Sequence, residues 1–118
     1  MTDQVQCLHL LVKHTGSRNP SSWKTPTITR SKGEAIEQLK AFHAQLQPLS
    51  GNDLVKAFSE LAAKNSDCSS AKRGGDLGMF GRGMMQKPFE EASFALGVNE
   101  MSGVVDTDSG VHIILRVQ

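Results

Sequence analysis

The chain predicts an α+β domain in which about three to four helices cover a small antiparallel sheet of four strands. Three observations carry that reading: a branched apolar run at residues 5–13, helical spacing between residues 31 and 64, and a hairpin signal near the C-terminus. With 118 residues and 38% hydrophobic content, the chain can build one core but not two comfortable ones, so a single domain over 1–118 is expected.

The first strand, Val5 to Lys13, alternates Cys7, His9, Leu11 and Lys13 with Leu8, Leu10 and Val12. The second set is core; the first mixes thiol, imidazole and ammonium, a surface that makes sense beneath a site. Residues 15–30 form a Gly/Ser/Pro/Thr-rich loop, long for so small a domain, and loops of that length are functional or disordered. Ser31-x-x-Glu34 is a capping box that opens a helix with Ile36, Leu39, Phe42 and Leu46 on its inner face, ended by Pro48 and Gly51. A second helix is predicted from about Asp53 to Lys64, burying Leu54, Phe58, Leu61 and Ala62. From Asn65 to Gly83 the composition turns to Ser and Gly, leaving room for a very short strand at Met79-Phe80. Pro88 suits a first helical position, and Phe89, Ala92 and Leu96 give a short third helix stopped by Gly97. Strands at 103–107 and 111–117 are joined by the turn Asp108-Ser109-Gly110.

The net charge is +1, yet no acidic residue lies between Asp3 and Glu34, while Lys13, Arg18, Lys24, Arg30 and Lys32 are all basic. That local excess points to an anionic ligand. Nucleic acid is not expected, because the stretch holds one aromatic, Trp23, and no recognition helix or stacking platform. No positive n-region precedes an apolar run, and no run approaches the roughly eighteen residues that span a bilayer, so a soluble intracellular protein without membrane association is expected. Cys7 and Cys68 lack metal-ligand spacing; free thiols and no metal are expected. Neither a heptad nor a long apolar edge calls for a second copy, and a monomer is expected.

Among chemistry-bearing residues, His9 and His112 lie on strands at opposite ends of the chain, each flanked by apolar residues. A lone histidine in such a place usually satisfies itself in the core; two on neighbouring strands can share a hydrogen bond and fix each other's tautomers. His14 and His43 read as strand end and helix surface. Cys68, by type alone, reads as a small buried filler. A cysteine near two histidines is also the arrangement of thiol hydrolases, but no oxyanion-hole loop is recognisable.

Five motifs occur in order: His9-Leu10-Leu11-Val12-Lys13-His14; Ser17-Arg18 with Ser21-Ser22-Trp23; Ser66 through Lys72; Gly75-Asp76-Leu77-Gly78; and Met85 through Leu96 followed by Ser109-Gly110-Val111-His112. Together they resemble the parvulin family of peptidyl-prolyl isomerases, specifically its phospho-specific, Pin-type branch, over nearly the whole chain. The resemblance implies a parvulin (FKBP-like) fold with the first and last strands adjacent at the sheet centre. It implies catalysis of proline cis/trans isomerisation on phosphoSer/phosphoThr-Pro proteins, without a cofactor, in cytoplasm and nucleus. A non-catalytic module that binds the same motif is the alternative. With the first strand beginning by about residue 5, a single-domain form without a WW domain is expected.

Residue by residue, the resemblance assigns Leu77, Met85 and Phe89 to a proline pocket with Gln86 at its rim. It places Cys68 against the reacting peptide bond, with His9 and His112 beneath it and Thr107 and Ser109 beside them on the hairpin. Lys13 and Arg18, within the basic loop of about 13–30, match the phosphate clamp, where cations favour phosphate through charge-assisted hydrogen bonds. The Pin-type loop typically carries two adjacent arginines; here Arg18 is followed by Asn19, which weakens the expected dependence on phosphate without removing the preference. Rotation about an X-Pro bond must break amide resonance, a barrier of roughly 18–20 kcal/mol. The expected mechanism is non-covalent stabilisation of the twisted amide.

Overall fold

The computed structural model describes residues 3–118. Strand β1 (Gln4–Val12) is followed by helices α1 (Lys32–Leu46) and α2 (Gly51–Asn65), and a 3-10 helix (Ser69–Arg73) leads into β2 (Asp76–Gly81). Helix α3 (Lys87–Ala95) and the hairpin β3 (Val105–Thr107) and β4 (Gly110–Arg116) complete the chain. The sheet order is β2-β1-β4-β3, antiparallel throughout, so the first and last strands meet at its centre as expected.

Both faces of β1 are buried, and this divides the core in two. Leu8, Leu10 and Val12, with Val111, Ile113 and Leu115 of β4, pack under Leu39, Leu54 and Phe58 of α1 and α2. The opposite face carries Val5, Cys7 and Ile114 against Phe80 and Phe89, under α3. His9 and His112 belong to this second face. Because the register sets His9 opposite Ile114 and His112 opposite Leu11, the two imidazoles are diagonal neighbours, close enough for long side chains to meet.

The capping box predicted at Ser31 is present, with Ser31 accepting from the Glu34 N–H at 3.1 Å and the Glu34 carboxylate accepting from the Ser31 N–H at 2.9 Å. Helix α2 begins at Gly51, two residues before the predicted Asp53, so the glycine read as a stop is the first residue of the next helix. The serine-rich stretch after it is more ordered than its composition suggests. Its five-residue 3-10 helix was not predicted, being too short to show an apolar period, and is capped by Cys68, whose sulfur accepts from the Ser70 N–H at 3.5 Å. β2 is six residues long where only Met79-Phe80 was expected. Its two glycines lower its apparent strand propensity, but pairing with β1 and the amide of Gln6, which donates to both oxygens of Asp76 at 3.0 Å, fix it. β3, conversely, starts at Val105 and not at 103.

Candidate active site

One cavity of about 180 Å³ is lined by His9, Cys68, Leu77, Met85, Gln86, Phe89, Thr107, Ser109 and His112. All nine had been singled out in the sequence. Two features of the backbone allow them to converge. At Gly75, with φ +85°, a Cβ would stand 2.5 Å from the His9 carbonyl oxygen, so only glycine lets this segment press against β1, where its own carbonyl accepts the His9 N–H at 2.9 Å. At Gly110, with φ +146°, a Cβ would stand 2.8 Å from the Val12 oxygen. That close approach seats the hairpin beside β1 and delivers Thr107, Ser109 and His112.

The histidines form the floor. Their Nδ1 atoms lie 3.0 Å apart, and the rings stack at 5.2 Å with 22° between planes. One Nδ1 carries the hydrogen and the other accepts it. Outward from the pair, His9 Nε2 is 3.2 Å from Ser70 Oγ, and His112 Nε2 is 2.7 Å from Thr107 Oγ1, which also accepts the Ser109 N–H at 3.2 Å. Every ring nitrogen thus has a partner. Burial holds His112 well below the usual imidazole range, and the neighbouring charge of His9 adds to that. Phe89 closes the floor from α3, edge-on to both imidazoles at 5.4 and 5.1 Å. It is pocket wall and core at once, only 4% exposed.

Cys68 is half-buried at the rim. Burial alone would raise its thiol, but a hydrogen bond and the charge of His9, together with the side chain and backbone N–H of Ser70, outweigh that and bring it down to about 6. Near neutral pH the sulfur is therefore predominantly thiolate. Gln86 has a more specific task than the rim contact expected of it. Its Nε2 donates to Ser109 Oγ at 2.7 Å and its Oε1 accepts the Asp108 N–H at 3.1 Å, so both ends of the amide tie α3 to the hairpin turn.

A second, more polar groove of about 420 Å³ is lined by Lys13, Asn19, Ser21, Trp23, Asp67 and Cys68, among others, and shares Cys68 and Ser109 with the first cavity. Lys13 lies in it, its ammonium donating to the Ser21 carbonyl at 2.6 Å. Arg18 does not line it. The Arg18 N–H donates to the Asp108 carbonyl at 2.8 Å and ties the loop to the hairpin, while the side chain is exposed. Asn19, in the position where a second arginine was missed, does face the groove. Lys24 is engaged elsewhere, pairing with Asp67 at 3.5 Å.

Asp67 is the residue the sequence reading passed over. Its buried carboxylate accepts the Lys13 N–H and an Arg30 N–H, each at 2.9 Å, and Arg30 in turn donates to the Lys13 carbonyl at 2.8 Å. The Trp23 indole donates to the Ser66 carbonyl at 2.8 Å. Two of the four cations in the 13–30 loop, Lys24 and Arg30, thereby hold the loop against the segment that carries Cys68. An acidic residue directly before that cysteine, opposite a basic run, was the available signal. Ser70, the partner of His9, left none.

A larger cavity of about 570 Å³, lined by His14, Lys32, Lys87, Pro88, Asp106 and Asp108 besides Gln86 and Thr107, contains neither Cys68 nor the paired histidines. Those three side chains line the smaller one. Among the described residues no cluster of histidine, cysteine and carboxylate side chains could hold a metal ion, and no helix is long and apolar enough to cross a membrane.

Residues 9–118 match the family model of the rotamase, or PPIC-type peptidyl-prolyl isomerase, domain. The chain is 58% identical to the putative peptidyl-prolyl cis-trans isomerase dodo of Drosophila melanogaster, covering 97% of this chain and 66% of that protein. It is 54% identical to the peptidyl-prolyl cis-trans isomerase Pin1 of Arabidopsis thaliana, covering 97% of this chain and 95% of that one. Among solved structures, the peptidyl-prolyl isomerase ESS1 from Candida albicans superposes with a TM-score of 0.89 at 44% identity, over 100% of this chain and 66% of that one.

Proposed function

The chain belongs to the PPIC-type family of peptidyl-prolyl cis-trans isomerases, among its Pin1-like members, and on that premise we propose that it acts on bonds in which phosphoserine or phosphothreonine precedes proline, without forming a covalent adduct. One observation carries the proposal: the apolar cavity and the groove containing Lys13 are adjacent, with Cys68 and Ser109 lining both. A phosphoSer-Pro segment requires an apolar receptor for the ring and, one residue upstream, a cation for a charge of about −1.5 to −2. The paired cavities offer both in that order. The proteins carrying such motifs are its substrates, and the chain acts as a monomer, in cytoplasm and nucleus.

The barrier comes from resonance that draws negative charge onto the carbonyl oxygen of the planar amide. A thiolate facing that bond disfavours the planar form and leaves the twisted one comparatively stable, which is catalysis by difference in binding. His9 and His112 do not act as general bases in this scheme. Their nitrogens are committed to one another, to Ser70 and to Thr107, and they hold the charge of Cys68 in place. No cofactor is needed.

Exchange or protease-coupled assays on paired Glu-Pro and phosphoThr-Pro peptides test the substrate preference; equal turnover of the two removes it. For the mechanism, Cys68→Asp is expected to keep substantial activity while Cys68→Ala loses most of it. Should folded Cys68→Asp be as inactive as the alanine variant, nucleophilic attack by the thiol takes the lead.

A further inference from the structure

The chain contains one Ser/Thr-Pro dipeptide, Thr25-Pro26, and it lies inside the basic loop. We propose that Thr25 is a phosphorylation site for a proline-directed protein kinase, and that the phosphate it receives suppresses binding of phosphorylated substrates at the adjoining groove. The effect on substrate rests on the phosphate preference proposed above.

Residues 19–31 belong to no helix or strand, and Pro26 and Thr27 are exposed. Thr25 is held through its backbone alone. Its N–H donates to the Ser22 carbonyl at 3.3 Å, and its carbonyl accepts the Ser22 N–H at 2.8 Å, closing a small turn around Trp23 and Lys24. Among the described residues the Thr25 hydroxyl has no hydrogen-bond partner, so no contact of that group opposes its modification. Opening the turn from Ser22 to Thr25 breaks its backbone hydrogen bonds, the Trp23–Ser66 hydrogen bond and the Lys24–Asp67 pair, but unseats no residue of the two core clusters, the kind of local excursion that exposes a site to an enzyme. In the transfer, the Thr25 oxygen attacks the γ-phosphorus of ATP, the bond to the ADP oxygen breaks, and the hydroxyl proton passes to the kinase's base.

The consequence follows from where the turn sits. Ser22 and Trp23 line the groove, and the Lys13 ammonium is tethered to Ser21 one residue before the turn. Lys24, adjacent to Thr25, is the cation that pairs with the buried Asp67. A dianion at Thr25 competes with Asp67 for Lys24 and places like charge within reach of the site where a substrate phosphate docks; a repulsion over such distances is only partly screened at physiological salt.

The test treats the folded protein with a proline-directed kinase and ATP, then locates the phosphate by mass spectrometry of the intact protein and its peptides. Phosphate on Thr25, abolished in Thr25→Ala, is expected; failure to label the native protein, or labelling that survives Thr25→Ala, overturns the site. The phosphorylated protein is then expected to bind a phosphoThr-Pro peptide roughly tenfold more weakly, the difference shrinking in high salt, with Glu-Pro turnover changed much less. Unchanged phosphopeptide affinity overturns the regulatory role. An unmodified protein that fails to prefer phosphoThr-Pro over Glu-Pro refutes the substrate reading instead, and leaves the labelling result standing.

Discussion

The apolar cavity and the groove beside Lys13 share Cys68 and Ser109, yet they are built from different materials. The cavity is walled by Phe89, Leu77 and Met85, which are continuous with the core beneath α3, and floored by histidines whose nitrogens are all partnered. The groove wall is a loop without regular structure, anchored by hydrogen bonds and by ion pairs that converge on Asp67. The cavity shares its stability with the core, whereas the loop rests on a small set of contacts, chiefly the ion pairs at Asp67 with the Trp23–Ser66 and Arg18–Asp108 hydrogen bonds.

Substitutions can break that contrast. The largest effect is expected at Phe89: truncation to alanine opens the pocket and the second core together, costing roughly 3–5 kcal/mol of stability by denaturant unfolding, besides catalysis. If Phe89→Ala loses activity but not stability, the cavity is not part of the core as described. Next is Lys13→Ala, which removes a charge-assisted contact of roughly 1.5–3 kcal/mol, or one to two decades of kcat/KM on a phosphorylated peptide, with little change on Glu-Pro. Arg18→Ala is expected to do less, since its side chain lies outside the groove lining; a reversed ranking would mean the loop rearranges when substrate binds. Asn19→Arg adds a cation to the groove and should raise selectivity for phosphate.

Asp67→Asn tests the loop's anchor. Losing the charge beside Arg30, which keeps about 19% of its side chain exposed, is expected to cost roughly 2 kcal/mol, less than a fully buried pair. Amide exchange should accelerate across residues 13–30 while the protection of β1 and β4 within the core persists. Uniform acceleration would show that loop and core open together.

A smaller, graded effect is expected from pH. With a Glu-Pro peptide, whose carboxylate titrates lower, kcat/KM should rise through about pH 6 as Cys68 becomes thiolate, and Cys68→Asp should flatten that rise. Between about 6 and 9.0 the unfolded chain holds a thiol proton that the folded chain has released, so this residue's contribution to stability grows with pH across that window and is absent below it. His112 acts in the same direction at lower pH. Below 6.5 the unfolded imidazole binds a proton that the buried one refuses, so stability falls further with acid. A stability profile flat from pH 5 to 9 would contradict both assignments.

How much of this was legible in the sequence differs between the same two regions. The capping box at Ser31, the stripe of Leu54, Phe58 and Ala62, and the turn before His112 are local signals that survive without coordinates. The lining residues of the cavity were found because the motifs carrying them lie in a recognisable order. What escaped was tertiary. Asp67 looked like a loop residue because its partners, Lys13, Lys24 and Arg30, are 37 to 54 positions away. The ion pair of Lys24 with Asp67 leaves no trace in the sequence, and β2 looked too short because glycine weakens the strand pattern that pairing with β1 supplies.

The direct contact of the two Nδ1 atoms has a consequence for the polarity of the site. Only one hydrogen lies between them, so when both rings are neutral the tautomer of one dictates that of the other. Either Thr107 donates to His112, His112 to His9 and His9 to Ser70, or every one of those bonds points the opposite way. The array reverses as a unit, not bond by bond. A second proton on His9 removes the choice, since both its nitrogens then donate and His112 must donate to Thr107. The charge state at the Cys68 end therefore determines whether the hydroxyl of Thr107 gives or receives at the far end, two strands away.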